Sequence, residues 1–544
     1  MVEPFPALAE SFGADLKRIR LRSQWVTSSA IVTFLLLGVL LRLRGLLAAR
    51  SLWLDEVSLA YSVRNRGLLQ LLMEPLAYGQ SAPPGFLVLS RIFSELFGTG
   101  LVAIRFVPFA SSVLTLFFSA AFARRALTGP YAQVAFVGGV SLSPTLIFYA
   151  SEMKQYSTDA LAVMLALYLA TTMHDKRNIG IAAVMGLLAT ILSLPGLVVF
   201  GVLGLVLLGE AASRGGPRSL LEEVRARWIV FMAWAIGALV HLAYARSSGA
   251  DREFMQSWWG ERGGFAPDRI SGLPDFAWYS ERVIEIFWLA LENTQMAFPG
   301  TRRMDSLAVA AAVVLVVLAV RGPRRSSLAA PLVGGIAVAA WLLAEVELYP
   351  LSSRLAIYLI PAAVAVLAMG LDAGLQRRSL ASRLGAASAA LLLASGLVTT
   401  AIQQFASPYS GRDMHAALEV LNRELAEGDV VVTNPRGERI IDWHRPVSNF
   451  VEPVAVIRPS RILEDLEERV LGVERPQRVW VITTHREGEA AEILEALDQQ
   501  YRYTSAFNNN GIYLGIASER GPLAFVETGD RELIELLSAT GFGP

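Results

Sequence analysis

Apolar runs of roughly membrane length, separated by short charged loops, limit this chain to one class of fold. The runs fall near 25–41, 104–123, 131–149, 157–173, 179–193, 196–210, 228–245, 304–320, 328–346, 354–371 and 384–403. A helix needs ~20 apolar residues to cross the hydrocarbon core. In lipid only helices and closed barrels satisfy their own backbone. The runs predict a polytopic α-helical membrane protein of about eleven spans. Pro195-Gly196 marks either a turn between two spans or a break in one longer helix. Composition agrees, with 53% hydrophobic and 18% charged residues, where soluble domains carry about 25% charged.

The basic residues orient the chain. Lys17, Arg18, Arg20 and Arg22 precede the first run. It reads as a span and not a signal peptide, because an acidic pair and many further spans follow it. Arg124-Arg125, Lys176-Arg177, the Arg214–Arg227 cluster, Arg321/Arg324/Arg325 and Arg377/Arg378/Arg383 then fall on the same side as the N-terminus. This repeated positive-inside pattern predicts a multi-pass protein of the cell (inner) membrane, with a cytoplasmic N-terminus and an extracytoplasmic C-terminus. Arg42, Arg44 and Arg50 break the rule, as interface snorkelers or as ligands for an anion. The outer segments are then about 42–103, the turn around Glu152, and about 246–303 with Trp258, Trp259, Phe265, Trp278 and Trp288. Within the last, Phe276–Leu291 repeats apolar residues at helical spacing and is expected on the membrane surface.

After Gln404 the character changes. Helix-like stretches (Met414–Leu425, Ile462–Leu471, Gly488–Leu497) alternate with β-branched runs (Val430–Thr433, Val479–Thr483, Ile512–Ile516). The division is therefore 1–403, a transmembrane domain, and 404–544, a soluble extracytoplasmic α/β domain. No phosphate-binding loop of the usual spacing occurs in it. Zero formal net charge gives no field for nucleic acid. The absence of cysteine excludes disulfides, thiol catalysis and thiolate-held metal, and the five histidines form no metal-spaced cluster.

Four stretches could carry chemistry. Asp55-Glu56 follows the first span, where two carboxylates are costly unless water, a cation or substrate compensates them. An acid at the lipid–water boundary suits a base acting on a lipid-linked substrate; the alternative is a helix cap. Pro83-Pro84 opens an apolar helix of about 15 residues, too short to span. Around Ser151–Asp159 polar groups gather, and a helix there would put Glu152, Tyr156 and Asp159 on one face; the alternative is a solvated turn. Tyr349-Pro350-Leu351-Ser352-Ser353-Arg354 enters a late span, as a binding element or an interface anchor.

Taken in order, Trp-Leu-Asp-Glu after the first span, the Pro-Pro juxtamembrane helix, Glu-Met-Lys-Gln-Tyr-Ser after the third and the late Tyr-Pro-x-Ser-x-Arg resemble the GT-C glycosyltransferases. Similar families include bacterial enzymes resembling protein O-mannosyltransferases, lipid A aminoarabinose transferases and rhizobial lipopolysaccharide galacturonosyltransferases. The resemblance covers roughly 25–403 and leaves the C-terminal domain out. It implies a GT-C-like fold, a polyprenyl-phosphate sugar donor, inversion at the anomeric carbon and catalysis by the acid at Asp55. The acceptor would be a glycan, lipid or protein. Beside it, the residues suggest Glu56 as a second site acid. Lys154, Arg354, Arg50 and Arg44 are candidates for the donor phosphate, and Glu152, Tyr156 and Tyr349 for substrate. Lys154 stands where the family often carries arginine, so it offers a point charge without the planar fork. No cofactor and no metal ligand set are expected, with a divalent metal left open. The competing classes are a transporter or lipid flippase, and a non-catalytic scaffold presenting the C-terminal domain.

Overall fold

The computed structural model describes residues 5–173, 175–247, 252–267, 273–291, 302–321, 328–406, 414–471, 476–484, 487–498, 501, 503–509 and 512–518. The chain forms two compact units, and their boundary is not a single cut. One unit comprises residues 1–47 and 66–408; the other joins 48–65 to 409–544. The segment carrying Asp55 thus belongs with residues 409–544 and not with 66–408.

The first unit is helical. Six described helices are long and apolar enough to cross a membrane: Gln24–Leu47, Phe106–Ala126, Leu194–Ala226, Trp228–Ser247, Ser353–Gln376 and Leu380–Thr399. The apolar helices Ile179–Leu192, Val309–Val320 and Ala329–Glu345 are shorter. The run at 131–149 is broken, because Ser143-Pro144 separates helix Pro130–Leu142 from a one-turn helix, Pro144–Tyr149; proline has no N–H to continue the ladder. Pro195-Gly196 proves to be the start of a helix. Ser193 caps Leu194–Ala226, its Oγ accepting from Gly196 N at 2.9 Å. Close helix packing depends on small residues. A Cβ on Gly186 would lie 1.8 Å from the Trp234 indole nitrogen, which donates to Ala182 O at 3.1 Å.

Helix Pro130–Leu142 is held at both ends by buried charge. At its N-terminus Asp372 accepts from Thr128 N at 3.1 Å and Gly129 N at 2.9 Å. At its C-terminus Arg42 donates through Nε to Ser112 Oγ (2.7 Å) and through its other nitrogens to Gly38 O (3.0 Å), Ser141 O (2.9 Å) and Val140 O (3.2 Å). An anion at the N-terminus and a cation at the C-terminus both complement the helix dipole. Arg42 is therefore neither a snorkeler nor an anion ligand; it caps a neighbouring helix inside the protein.

The second unit contains a five-stranded mixed sheet ordered β2-β1-β3-β5-β4. β1 (Val430–Thr433) runs parallel to β2 (Val454–Val456) and β3 (Arg478–Thr484), while β5 (Ile512–Ser518) is antiparallel to β3 and to β4 (Tyr503–Asn509). Val432, Val479 and Val481 form one core with Leu466, Ile493 and Leu497, as strand alternation requires. Helix Pro435–Ser448 follows β1 directly. Asn434 caps it, accepting from Gly437 N at 2.7 Å and donating to Glu489 at 2.8 Å and Thr484 O at 3.2 Å. Gly437 has to be small, since a Cβ there would sit 2.1 Å from Thr433 Oγ1.

Candidate functional site

In the second unit, Asp55 and Glu56 occupy the first turn of helix Leu54–Asn65. Acids there face unsatisfied N–H groups and the positive end of the dipole. The two acids differ. Glu56 is fully buried, and its Oε2 accepts from Trp53 N at 3.4 Å, a reach back across the helix start. Asp55 is only half-buried. The helix-cap alternative thus describes Glu56, while Asp55 beside it is half-buried in the same first turn. Arg50 lies in the non-helical stretch before them and is half-buried.

In the first unit, Glu152 and Lys154 lie in a buried turn rather than on a helix or at a solvated surface. Helix Tyr156–Thr172 begins only after them, so Glu152 does not share a helical face with Tyr156 and Asp159. Glu152 and Lys154 are 1% and 5% exposed, which makes them costly charges that the fold nevertheless retains. Lys154 Nζ donates to Gln80 Oε1 at 2.6 Å, tying the turn to the segment preceding helix Pro84–Phe97.

Beside this turn the structure gathers tyrosines around a buried acid. The rings of Tyr149 and Tyr156 meet edge to face at 5.0 Å, and those of Tyr349 and Tyr358 at 6.0 Å. Asp159 is buried and accepts from Ser193 Oγ at 2.6 Å. The Tyr349 ring is half-buried; desolvation of its hydroxyl, and then the nearby Asp159 carboxylate, push its pKa well above the ordinary tyrosine value. Tyr349 is therefore a hydrogen-bond donor at any physiological pH. Sequence reading paired Tyr156 with Asp159 but did not place Asp159, Tyr149 or Tyr358 in the site. The acid among aromatic residues just inside a span was the available signal.

Arg354 begins the 3-10 helix Ser353–Leu359 and is half-buried. The turn before it is braced by the Trp-rich segment: Arg282 donates to Ser352 Oγ at 2.8 Å and Ser353 N to Glu285 at 2.6 Å. Helix Leu273–Leu291 includes the expected stretch from Phe276. Ala49, Tyr78 and Ser353 have φ of 45°, 60° and 50°, and each lies within two residues of a predicted ligand or its partner: Arg50, Gln80 and Arg354. Such left-handed backbone at non-glycine residues costs roughly 1–2 kcal/mol each and tends to persist where function demands it. Arg44 is engaged differently. It donates to Phe405 O at 2.5 Å and Ala406 O at 3.4 Å and stacks on the Phe405 ring at 5.0 Å, capping the end of helix Leu380–Ala406.

Among the described residues no group of three His, Asp or Glu side chains is placed to hold a metal ion. A large apolar cavity of about 990 Å³ lies within the helical unit between Ala30, Phe34, Val134, Val364, Leu367 and Leu391, among others. It has no ionisable group other than Tyr131 in its lining and is separate from the polar turn.

No family model matches the chain, and no curated protein does. Solved structures do. The oligosaccharyltransferase of Archaeoglobus fulgidus, in its apo form, superposes with a TM-score of 0.50 at 13% identity, over 90% of this chain and 74% of that one. ArnT from Cupriavidus metallidurans gives 0.49 in its apo state and 0.43 bound to undecaprenyl phosphate, each at 14% identity over 92% of this chain and all of that one. The first of these shows a shared fold: the chain is built like that oligosaccharyltransferase over most of its length.

Proposed function

We propose that the protein is an integral-membrane inverting glycosyltransferase that moves a sugar from a polyprenyl-phosphate donor to an extracytoplasmic glycolipid, polysaccharide or protein. The observation that supports this reading is the difference in burial within the acidic pair. Glu56 is buried and reaches back to its helix start, while Asp55 beside it is half-buried at the position where the resemblance places the catalytic acid.

In the proposed reaction the Asp55 carboxylate takes the proton of an acceptor hydroxyl. The acceptor oxygen then attacks the anomeric carbon from the face opposite the phosphate. The bond between that carbon and the phosphate oxygen breaks, and polyprenyl phosphate leaves with the electron pair. Charge grows on the phosphate as it departs. Lys154 and Arg354, with Arg50, are assigned to stabilise it. Tyr349 and Tyr156, with Glu152, are assigned to orient sugar and acceptor hydroxyls. No step requires a metal ion. The N-terminus is assigned to the cytoplasm and the α/β unit to the outside, which a reporter fused after Pro544 checks; activity of a cytoplasm-only reporter there would reverse the sidedness.

The reading is tested with purified protein in liposomes given polyprenyl-phosphate-linked hexoses, pentoses and uronic acids together with membrane glycolipid extract. The expected result is release of polyprenyl phosphate and a product of inverted anomeric configuration. Movement of intact donor across the bilayer without cleavage would favour the flippase class instead.

A further inference from the structure

The helix carrying Asp55 is packed into the C-terminal α/β unit, although nearly four hundred residues of sequence separate the interacting groups. Leu52 is fully buried in a stretch with no regular structure, and its N–H donates to Nε2 of His444 at 3.2 Å across 392 residues. A buried backbone N–H outside regular structure needs such a partner. Accepting at Nε2 keeps that nitrogen unprotonated, so the ring proton rests on Nδ1. One residue earlier, Ser51 Oγ accepts from His415 N at 2.9 Å. Within the helix, Ser58 Oγ donates to Leu54 O at 2.6 Å and accepts from Arg439 at 3.0 Å. The Arg64 guanidinium lies over the Trp443 ring at 4.1 Å. Arg439, Trp443 and His444 all come from helix Pro435–Ser448, which Asn434 anchors to the end of β1.

These contacts fix the acid-bearing helix at its approach, in its first two turns and at its far end. A general base must lie within hydrogen-bond reach of the hydroxyl it deprotonates. Misplacement by an ångström can cost as much as losing a contact. We propose that the C-terminal α/β unit is the scaffold that positions Asp55, with His444 and Arg439 as positioning residues for the transfer reaction. This rests on Asp55 being the acceptor base.

The full chain contains no cysteine, so introduced thiols report alone. Tyr61→Cys on the acid-bearing helix and Glu438→Cys on helix Pro435–Ser448, both at exposed positions, carry nitroxide labels for pulsed EPR distance measurement. The expected distance distribution is narrow in the otherwise unaltered protein and broad in His444→Leu. It should narrow again in His444→Gln, whose Oε1 can accept the Leu52 N–H. Without labels, turnover of a polyprenyl-phosphate hexose by folded His444→Leu should fall 10–100-fold with little change in KM, and His444→Gln should recover most of it. Arg439→Met serves as the second variant should His444→Leu fail to fold, with a smaller fall expected. A distribution that stays narrow in His444→Leu and Arg439→Met overturns the proposal, as does a broadened one with unaltered kcat. If the unaltered protein cleaves no polyprenyl-phosphate donor, the glycosyl-transfer reading fails, while the distance measurement still decides whether this unit holds the helix.

Discussion

Two regions of the helical unit bury charge, and they do so in opposite ways. At the ends of helix Pro130–Leu142, Arg42 and Asp372 face mostly backbone groups: carbonyls of Gly38, Val140 and Ser141 for the arginine, and N–H groups of Thr128 and Gly129 for the aspartate, with the Ser112 and Gln376 side chains beside them. The backbone partners belong to the fold and cannot leave. In the turn at Ser151–Gln155, Lys154 donates to the side chain of Gln80, and Tyr349 and Tyr358 lie close enough to Asp159 to feel its charge. A side-chain partner can rotate away when a ligand offers a better one. Burial of charge alone therefore does not identify a site. What distinguishes the two regions is that helix-end backbone supplies most of the contacts in the first, while in the second Lys154 reaches a movable side chain.

The largest expected effect tests the helix-end side of this comparison. Arg42→Met removes the side-chain donor from several buried carbonyls, and a buried carbonyl left unsatisfied costs about 1–3 kcal/mol. The folded protein should lose stability by a few kcal/mol, read as a lower unfolding temperature in detergent, while turnover per folded molecule persists. Unchanged stability with lost turnover would mean that Arg42 serves the reaction. An intermediate effect tests the turn. Lys154→Gln and Arg354→Gln should stay folded and lose roughly tenfold or more in turnover, because charge-assisted bonds to a leaving phosphate strengthen as it departs. Lys154→Arg should retain more activity than the glutamine variant. Normal kinetics in both glutamine variants would remove these residues from the donor site. The smallest effects are expected at Glu56 and Arg44. Glu56→Gln keeps an acceptor for Trp53 N and should reduce turnover less than severalfold. Arg44→Gln should act on stability, by about 1 kcal/mol, as loss of a helix-end contact does. A kinetic defect in Arg44→Gln would return it to the phosphate site.

Much of the architecture was legible from periodicity and punctuation. The predicted spans fall largely on helix. Ser143-Pro144 nevertheless breaks the run at 131–149, and six described helices, against about eleven expected, are long and apolar enough to span. Three of the five described strands lie where β-branched runs occur. β2 has only three residues and β4 is polar, so neither carries a hydropathy signal. Helix Pro435–Ser448 was not among the expected helices; Pro435, Gly437 and Pro446 are residue types that often punctuate helices, yet proline at the first helical position is favourable and Asn434 is a strong cap. The buried turn at Glu152–Lys154 was read as a helical face or a solvated turn, because charge in sequence does not reveal burial. Arg42 looked like an exception to a topology rule, since most of its partners are backbone carbonyls that no composition encodes. The membership of residues 48–65 in the C-terminal unit depends on contacts such as Leu52 with His444, which local sequence cannot announce.

The central claim is that Asp55 is the base of a sugar transfer, and Asp55→Asn tests it most directly. The substitution keeps shape and removes the basic carboxylate. Release of polyprenyl phosphate from a polyprenyl-phosphate sugar, measured per folded molecule in liposomes, should fall by about 10²-fold or more, with the unfolding temperature close to that of the unaltered protein. Near-normal release by folded Asp55→Asn would contradict the account.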